Sequence, residues 1–187
     1  MIRYSLINST LGPCADAAAA VTPGLKKIFG KKAYDMQNIN QIVIKKSVGV
    51  FDVELNDGEF QLKDVNTQVF VSMNSRFGGG GMVISPKSFI NDGFFEVMYF
   101  NKVLTPSEFG EVQKKSRECA GDNQYTELYK VKKAKCVNKQ KATTSHNFVV
   151  DGEVMHYQEF ITQQIVPGGL ELICDFGHIL NTRYFKK

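Results

Sequence analysis

The sequence predicts a mainly-β domain with a few helices (α+β), built as an antiparallel β-sandwich with helical decoration. Three observations predict it. Short alternating apolar runs recur along the chain, Asn-Asp-Gly and Pro-Gly turn chemistry separates them, and helical stretches do not alternate with strands in the βαβ order of a parallel sheet. No internal repeat is visible, and at 187 residues the chain, 1–187, is expected to be a single domain with a proper core.

In chain order, residues 2 to 8 read as a short strand broken by Gly12-Pro13. Asp16 to Val21 is alanine-rich and helical by propensity, and Pro23 opens a second helical piece. Ala33 to Ile44 makes a third, with Tyr34, Ile39 and Ile42 as its apolar stripe. Gly49 to Leu55 and Phe60 to Val65 are strands around Asn56-Asp57-Gly58, a hairpin turn by chemistry.

The stretch from Val69 to Phe100 organises the rest. Val69, Val71 and Met73 alternate with other residues, the four glycines Gly78 to Gly81 interrupt, and a second run from Phe94 to Phe100 closes the segment after the Asn91-Asp92-Gly93 turn. The glycines are not a nucleotide P-loop. That motif needs a Lys-Ser/Thr pair and a helix directly after the loop, whereas Met82-Val83-Ile84 reads as strand and Pro86 stops it.

Thr105 as N-cap, Pro106 at N1 and Glu108 at N3 spell a capping box, so a helix runs from here to about Cys119, buried through Phe109 and Val112. From Tyr125 to Val137 the pattern suggests one long strand of irregular alternation, bulged along its length. A lysine-rich loop spans Asn138 to Thr144, and Phe148-Val149-Val150 leads into the turn Asp151-Gly152-Glu153. Phe160, Ile161 and Ile165, then Leu170, Leu172 and Cys174, form the last two strands around Pro167-Gly168-Gly169, and the tail has enough apolar residues to dock.

Composition narrows the class. Hydrophobic residues at 43% and charged ones at 22% are those of a globular protein rather than a disordered one. No run reaches the roughly 18 apolar residues that cross a bilayer, so no transmembrane segment is expected. No secretory signal is read at the start, and the chain is expected to be intracellular, cytoplasmic or mitochondrial, with a membrane-peripheral position. Cys14, Cys119, Cys136 and Cys174 lack CxxC spacing and are read as reduced thiols, and His146, His156 and His178 show no metal spacing. Lysines cluster at 26, 27, 31 and 32 and again between 130 and 141. The plain reading is a solvated face; such a surface could also meet anionic lipid, while the lack of an aromatic-interleaved motif leaves nucleic acid unexpected.

Two ordered motifs carry a family resemblance. Asn74, the GGGGM run, Ile84-Ser85-Pro86 and Asn91-Asp92-Gly93 followed by Phe94-Phe95-Glu96-Val97 form the first, and Val150-Asp151-Gly152-Glu153 with the later Val166-Pro167-Gly168 turn forms the second. Together they resemble the C-terminal β-sandwich domain of the diacylglycerol kinase and sphingosine kinase superfamily of bacterial-type lipid kinases. Leu25 to Tyr34 is similar to that domain's LG-x-x-x-Y phrase, so the match spans nearly the whole chain.

The resemblance implies a division of labour. In such kinases a separate N-terminal lobe with a GGDGT phrase binds ATP; this sequence has no GGDGT, so ATP is not expected to bind this chain alone. Glu153 falls at the position of the general base that takes the proton of the lipid hydroxyl, with Asp151 and Gly152 shaping its turn. Asp92, with the backbone carbonyls of Phe89 and Phe94, falls at a magnesium site, where an oxygen-only donor set suits a hard ion. The expected role is an accessory or scaffold subunit among other protein subunits, noncatalytic on its own. The alternative is the substrate-side lobe of an active lipid kinase whose ATP-binding lobe is elsewhere.

Overall fold

The computed structural model describes residues 2–78, 82–86, 88–115, 123–140 and 146–169. The chain begins with β1 (Asn8–Leu11), then α1 (Pro13–Ala19), α2 (Pro23–Phe29) and α3 (Lys32–Asn38), which continues as a π-helical turn over Ile39–Ile44. β2 (Gly49–Leu55) and β3 (Phe60–Thr67) flank a 3-10 turn at Asn56–Gly58, and β4 (Phe70–Met73) and β5 (Phe95–Phe100) bracket a long loop. α4 (Pro106–Lys115) precedes β6 (Thr126–Val131), β7 (Lys133–Asn138), β8 (His146–Val150), β9 (Glu153–Tyr157) and β10 (Phe160–Gln164).

Two antiparallel sheets result, one ordered β6-β5-β4-β1-β8-β9 and one ordered β10-β7-β2-β3. Strand periodicity explains how they stack. Leu11, Phe70, Val97 and Tyr99 leave one face of the larger sheet and pack on Phe51, Val53, Leu55 and Cys136 of the smaller. Their neighbours Val71, Met73, Met98 and Phe100 leave the other face and meet Ile42, Leu104, Phe109 and Val112 from the helical side. The outcome is three layers, and β4 and β5 are buried along both faces, which is why their sequences are almost wholly apolar. Phe51 and Phe70 join the sheets with ring centroids 5.5 Å apart, and Phe70 stacks in turn near Tyr99 at 6.2 Å.

One buried amide ties the helical layer down. Gln68, fully buried, donates to the carbonyl of Ile42 at 2.8 Å and accepts the Leu104 N–H at 2.8 Å. The capping box of α4 forms as its spelling demands: Glu108 accepts the Thr105 N–H at 2.8 Å, and Thr105 accepts the Glu108 N–H at 3.3 Å.

Three expectations change in detail. The first strand lies at Asn8–Leu11 rather than at residues 2 to 8, because Leu11 reaches the core while Ile2 and Tyr4 stay exposed. The run from Tyr125 is two strands, not one bulged strand: at Lys132 the chain leaves the six-stranded sheet and enters the four-stranded one. Val83 makes only an isolated bridge to Phe77. The expected strand at Leu170 to Cys174, the tail, Gly79 to Gly81 and the helix end near Cys119 lie outside the described residues.

Candidate functional site

Register places the motif residues on one rim of the six-stranded sheet. Asn8 pairs with Met73, Met73 with Glu96 and Glu96 with Lys130, while Ser9 pairs with Val150. The Asp151-Gly152 turn after β8, Asn74 after β4 and Asp92 before β5 therefore open at the same end. Asp92 and Asp151 stand three interstrand steps apart, roughly 14 Å, too far for one to touch the other.

Asp151 and Gly152 form a two-residue turn with φ of 47° and 91°, the left-handed pair that suits Asp-Gly. Glu153 follows as the exposed first residue of β9, opposite Val150. Asp151 has a different task from Glu153. Its carboxylate accepts the backbone N–H groups of Leu6 at 2.7 Å, Ile7 at 3.0 Å and Asn8 at 2.8 Å, and the Ser5 hydroxyl at 3.0 Å. Desolvation pushes its pKa up, but these four donors together outweigh that and hold it below the ordinary value.

At the other end of the rim, Asp92 folds back on its own turn. Its Oδ1 accepts the Phe94 N–H at 3.0 Å, its Oδ2 meets the Lys130 ammonium at 2.7 Å, and its N–H donates to the Phe89 carbonyl at 3.3 Å. Lys130 and Lys132 also lie over the Phe94 ring, 5.2 and 5.0 Å from its centroid. The hydrogen bond to Asp92 raises the Lys130 pKa.

As a magnesium site this donor set fits poorly in the arrangement seen. Both carboxylate oxygens of Asp92 are engaged, one of them by a cation, and a divalent ion would first have to displace the Lys130 ammonium. Among the described residues no three His, Cys, Asp or Glu side chains gather as metal ligands.

Glu96 enters the sequence reading only as a member of the Phe94-Phe95-Glu96-Val97 run, with no task of its own. It is 3% exposed and accepts the Ser88 hydroxyl beneath the loop joining β4 to β5. Burial raises its pKa, with the Asp92 charge adding to this, against the Ser88 hydrogen bond and the Lys130 charge. Arg76, also buried in that loop, stacks 5.1 Å from the Phe89 ring centroid, and burial lowers its pKa. A glutamate inside an otherwise apolar strand, Phe95 to Phe100, was the available signal.

Among the described residues the remaining candidates gather into no cluster of metal-ligating side chains. His146 packs its ring 5.3 Å from that of Tyr157, and His178 lies outside the described residues. Cys136 is a free thiol that burial pushes up to about 12, unreactive as a nucleophile.

Neither a protein-family model nor a curated protein matches the sequence. Solved structures do. Three that carry the name diacylglycerol kinase, all from Bacillus anthracis strain Sterne, superpose with TM-scores of 0.55, 0.50 and 0.52 at 12%, 8% and 12% sequence identity. They cover 86%, 87% and 86% of this chain and 50%, 47% and 50% of their own. This chain thus spans about half the length of those proteins, and over that half it has the fold of a bacterial diacylglycerol kinase.

Proposed function

We propose that this chain is a lipid-kinase-like lobe that turns over no lipid by itself and serves as an accessory or scaffold subunit of a larger assembly. The observation that carries this reading is the employment of the two rim aspartates. Asp151 is spent on the N-terminal segment and Asp92 on Lys130 and its own turn. Phosphoryl transfer depends on gripping the donor phosphates and their metal at least as much as on a base. The test is an assay of the purified chain with ATP, magnesium and diacylglycerol or sphingosine. No product is expected, and turnover that disappears in Glu153→Gln overturns the reading.

One observation favours a second reading, the substrate-side lobe of an active kinase completed in trans. Glu153 is exposed on the rim, directly after a rigid turn, where a lipid hydroxyl brought to it could lose its proton. Magnesium belongs to this reading, held by Asp92 and the carbonyls of Phe89 and Phe94 once Lys130 has moved aside. Turnover that appears only on adding an ATP-binding lobe from a diacylglycerol kinase, and is lost in Glu153→Gln, selects it over the first.

A further inference from the structure

The outer side of the helical layer has an unusual polarity. α2 buries no side chain, yet it carries Ile28 at 74% and Phe29 at 43% exposure. The next helical stretch is anchored inward by Ala33 and Ile42, and its outward residues are Met36 at 48%, Ile39 at 46% and Ile44 at 70%. Met36 on α3 and Ile39 at the start of the π turn are three apart, and Ile39 and Ile44 are one π-helical turn apart, so these three apolar tips recur along a single stripe. Surface hydrophobics on a soluble domain are usually scattered singly.

Charge is concentrated on the same piece. Residues 23 to 46 hold six lysines (26, 27, 31, 32, 45 and 46) and one acid, Asp35, a balance of +5. The whole chain is only +4, so all the rest sums to −1. Among the described residues none of these six lysines makes an ion pair, and Lys26 lies over the Tyr34 ring at 5.8 Å.

We propose that the α2–α3 stretch with its π turn docks on an anionic lipid bilayer, its apolar tips entering the headgroup boundary and its lysines pairing with lipid phosphates and carboxylates. Lysines flanking aliphatic tips match an interfacial helix, whose charged ends reach for headgroups while the stems lie along apolar surface. Nucleic acid would use the lysines and could stack a base on Phe29, but it has no use for the aliphatic tips Ile28, Met36, Ile39 and Ile44, which are the larger part of the stripe. The docking stands apart from the catalytic question, because it uses none of the rim residues.

The experiment is co-sedimentation of the full chain with vesicles of phosphatidylcholine alone or mixed with phosphatidylserine. Binding is expected to the mixed vesicles only and to weaken as salt shortens the screening length. Each lysine changed among 26, 27, 31 and 32 should weaken binding by about five-fold. Ile28→Ser combined with Phe29→Ser should weaken it by roughly ten-fold or more, with circular dichroism unchanged because both side chains are exposed. The chain holds no tryptophan, so Phe29→Trp supplies a single tryptophan whose emission, excited apart from the tyrosines, should shift to the blue on mixed vesicles.

Equal binding to both vesicle types, or full binding by the serine variant, overturns the proposal. So does an unshifted Phe29→Trp emission in vesicle-bound protein. RNA capture by a chain that ignores vesicles also overturns it. None of these readouts involves ATP or turnover, so their outcome is separate from that of the kinase assay.

Discussion

Asp151 and Asn8 bind each other in both directions: the Asn8 N–H donates to the Asp151 carboxylate at 2.8 Å, and the Asp151 N–H donates to the Asn8 carbonyl at 2.9 Å. With Leu6 and Ile7 donating to the same carboxylate, the turn between β8 and β9 fixes the segment that leads into β1. Asp151→Ala therefore strands three backbone donors. The site is partly solvated, which limits the cost to about 1–2 kcal/mol. Urea denaturation should report that loss, and an unchanged midpoint would show the clasp to be energetically idle.

The same clasp sets an acid dependence. A carboxylate whose folded pKa lies below its unfolded value contributes stability above the unfolded value, near 3.9 for aspartate, and loses it as pH falls through the folded pKa. The stability gap between the parent and Asp151→Asn should thus be full at neutral pH and shrink below about pH 4. A gap independent of pH would point to steric disruption by the amide rather than loss of the charged acceptor.

Glu96 should show the opposite sign. Its folded pKa is raised, chiefly by burial, so the native state is favoured below the unfolded value, about 4.3, and loses that advantage as pH rises through the folded pKa. Glu96→Gln keeps an acceptor for Ser88 and removes the buried charge. It should stabilise the chain at neutral pH by about 1 kcal/mol and leave acid stability nearly untouched. Destabilisation at pH 7 would mean that the Lys130 and Ser88 contacts more than compensate for burial.

Much of this architecture was readable in the residues themselves. The capping box at Thr105 to Glu108, the Asp-Gly turns and the alternation of β2 follow from local chemistry, which neighbours did not overrule. Sheet membership was not readable. Tyr125 to Val137 carries the same alternation whether it stays in one sheet or crosses at Lys132, and only the partners Phe95 to Phe100 and Phe51 to Leu55 decide. The rim was legible as motifs but not as tasks: nothing local to Asp151 says that its carboxylate faces residues 5 to 8.

The cap of α4 offers a local test of the helical layer. Thr105→Ala removes the hydroxyl that accepts the Glu108 N–H and should cost about 1 kcal/mol. Glu108 is held at a pKa of about 2 by Lys102, with Thr105 assisting through backbone and side chain. A lowered carboxylate gives stability above its unfolded pKa and loses it towards about 2, so the Thr105→Ala deficit should narrow in strong acid. Thermal unfolding across pH measures it, and a constant deficit argues that the hydroxyl acts without Glu108.

Lys130 and a divalent cation compete for one oxygen of Asp92 if magnesium enters this rim at all. In the parent chain the ammonium sits 2.7 Å from Oδ2 and is half exposed, so the pair itself is worth at most about 1 kcal/mol. Lys130→Ala removes the competitor and frees Oδ2, while Oδ1 keeps the Phe94 N–H. Added magnesium should then raise the unfolding temperature of Lys130→Ala more than that of the parent, by about 2–4 °C for each kcal/mol of binding linkage. Asp92→Asn in the same background should erase the response. Equal responses in parent and Lys130→Ala would place any magnesium effect elsewhere on the chain and leave Lys130 as a plain surface ion pair.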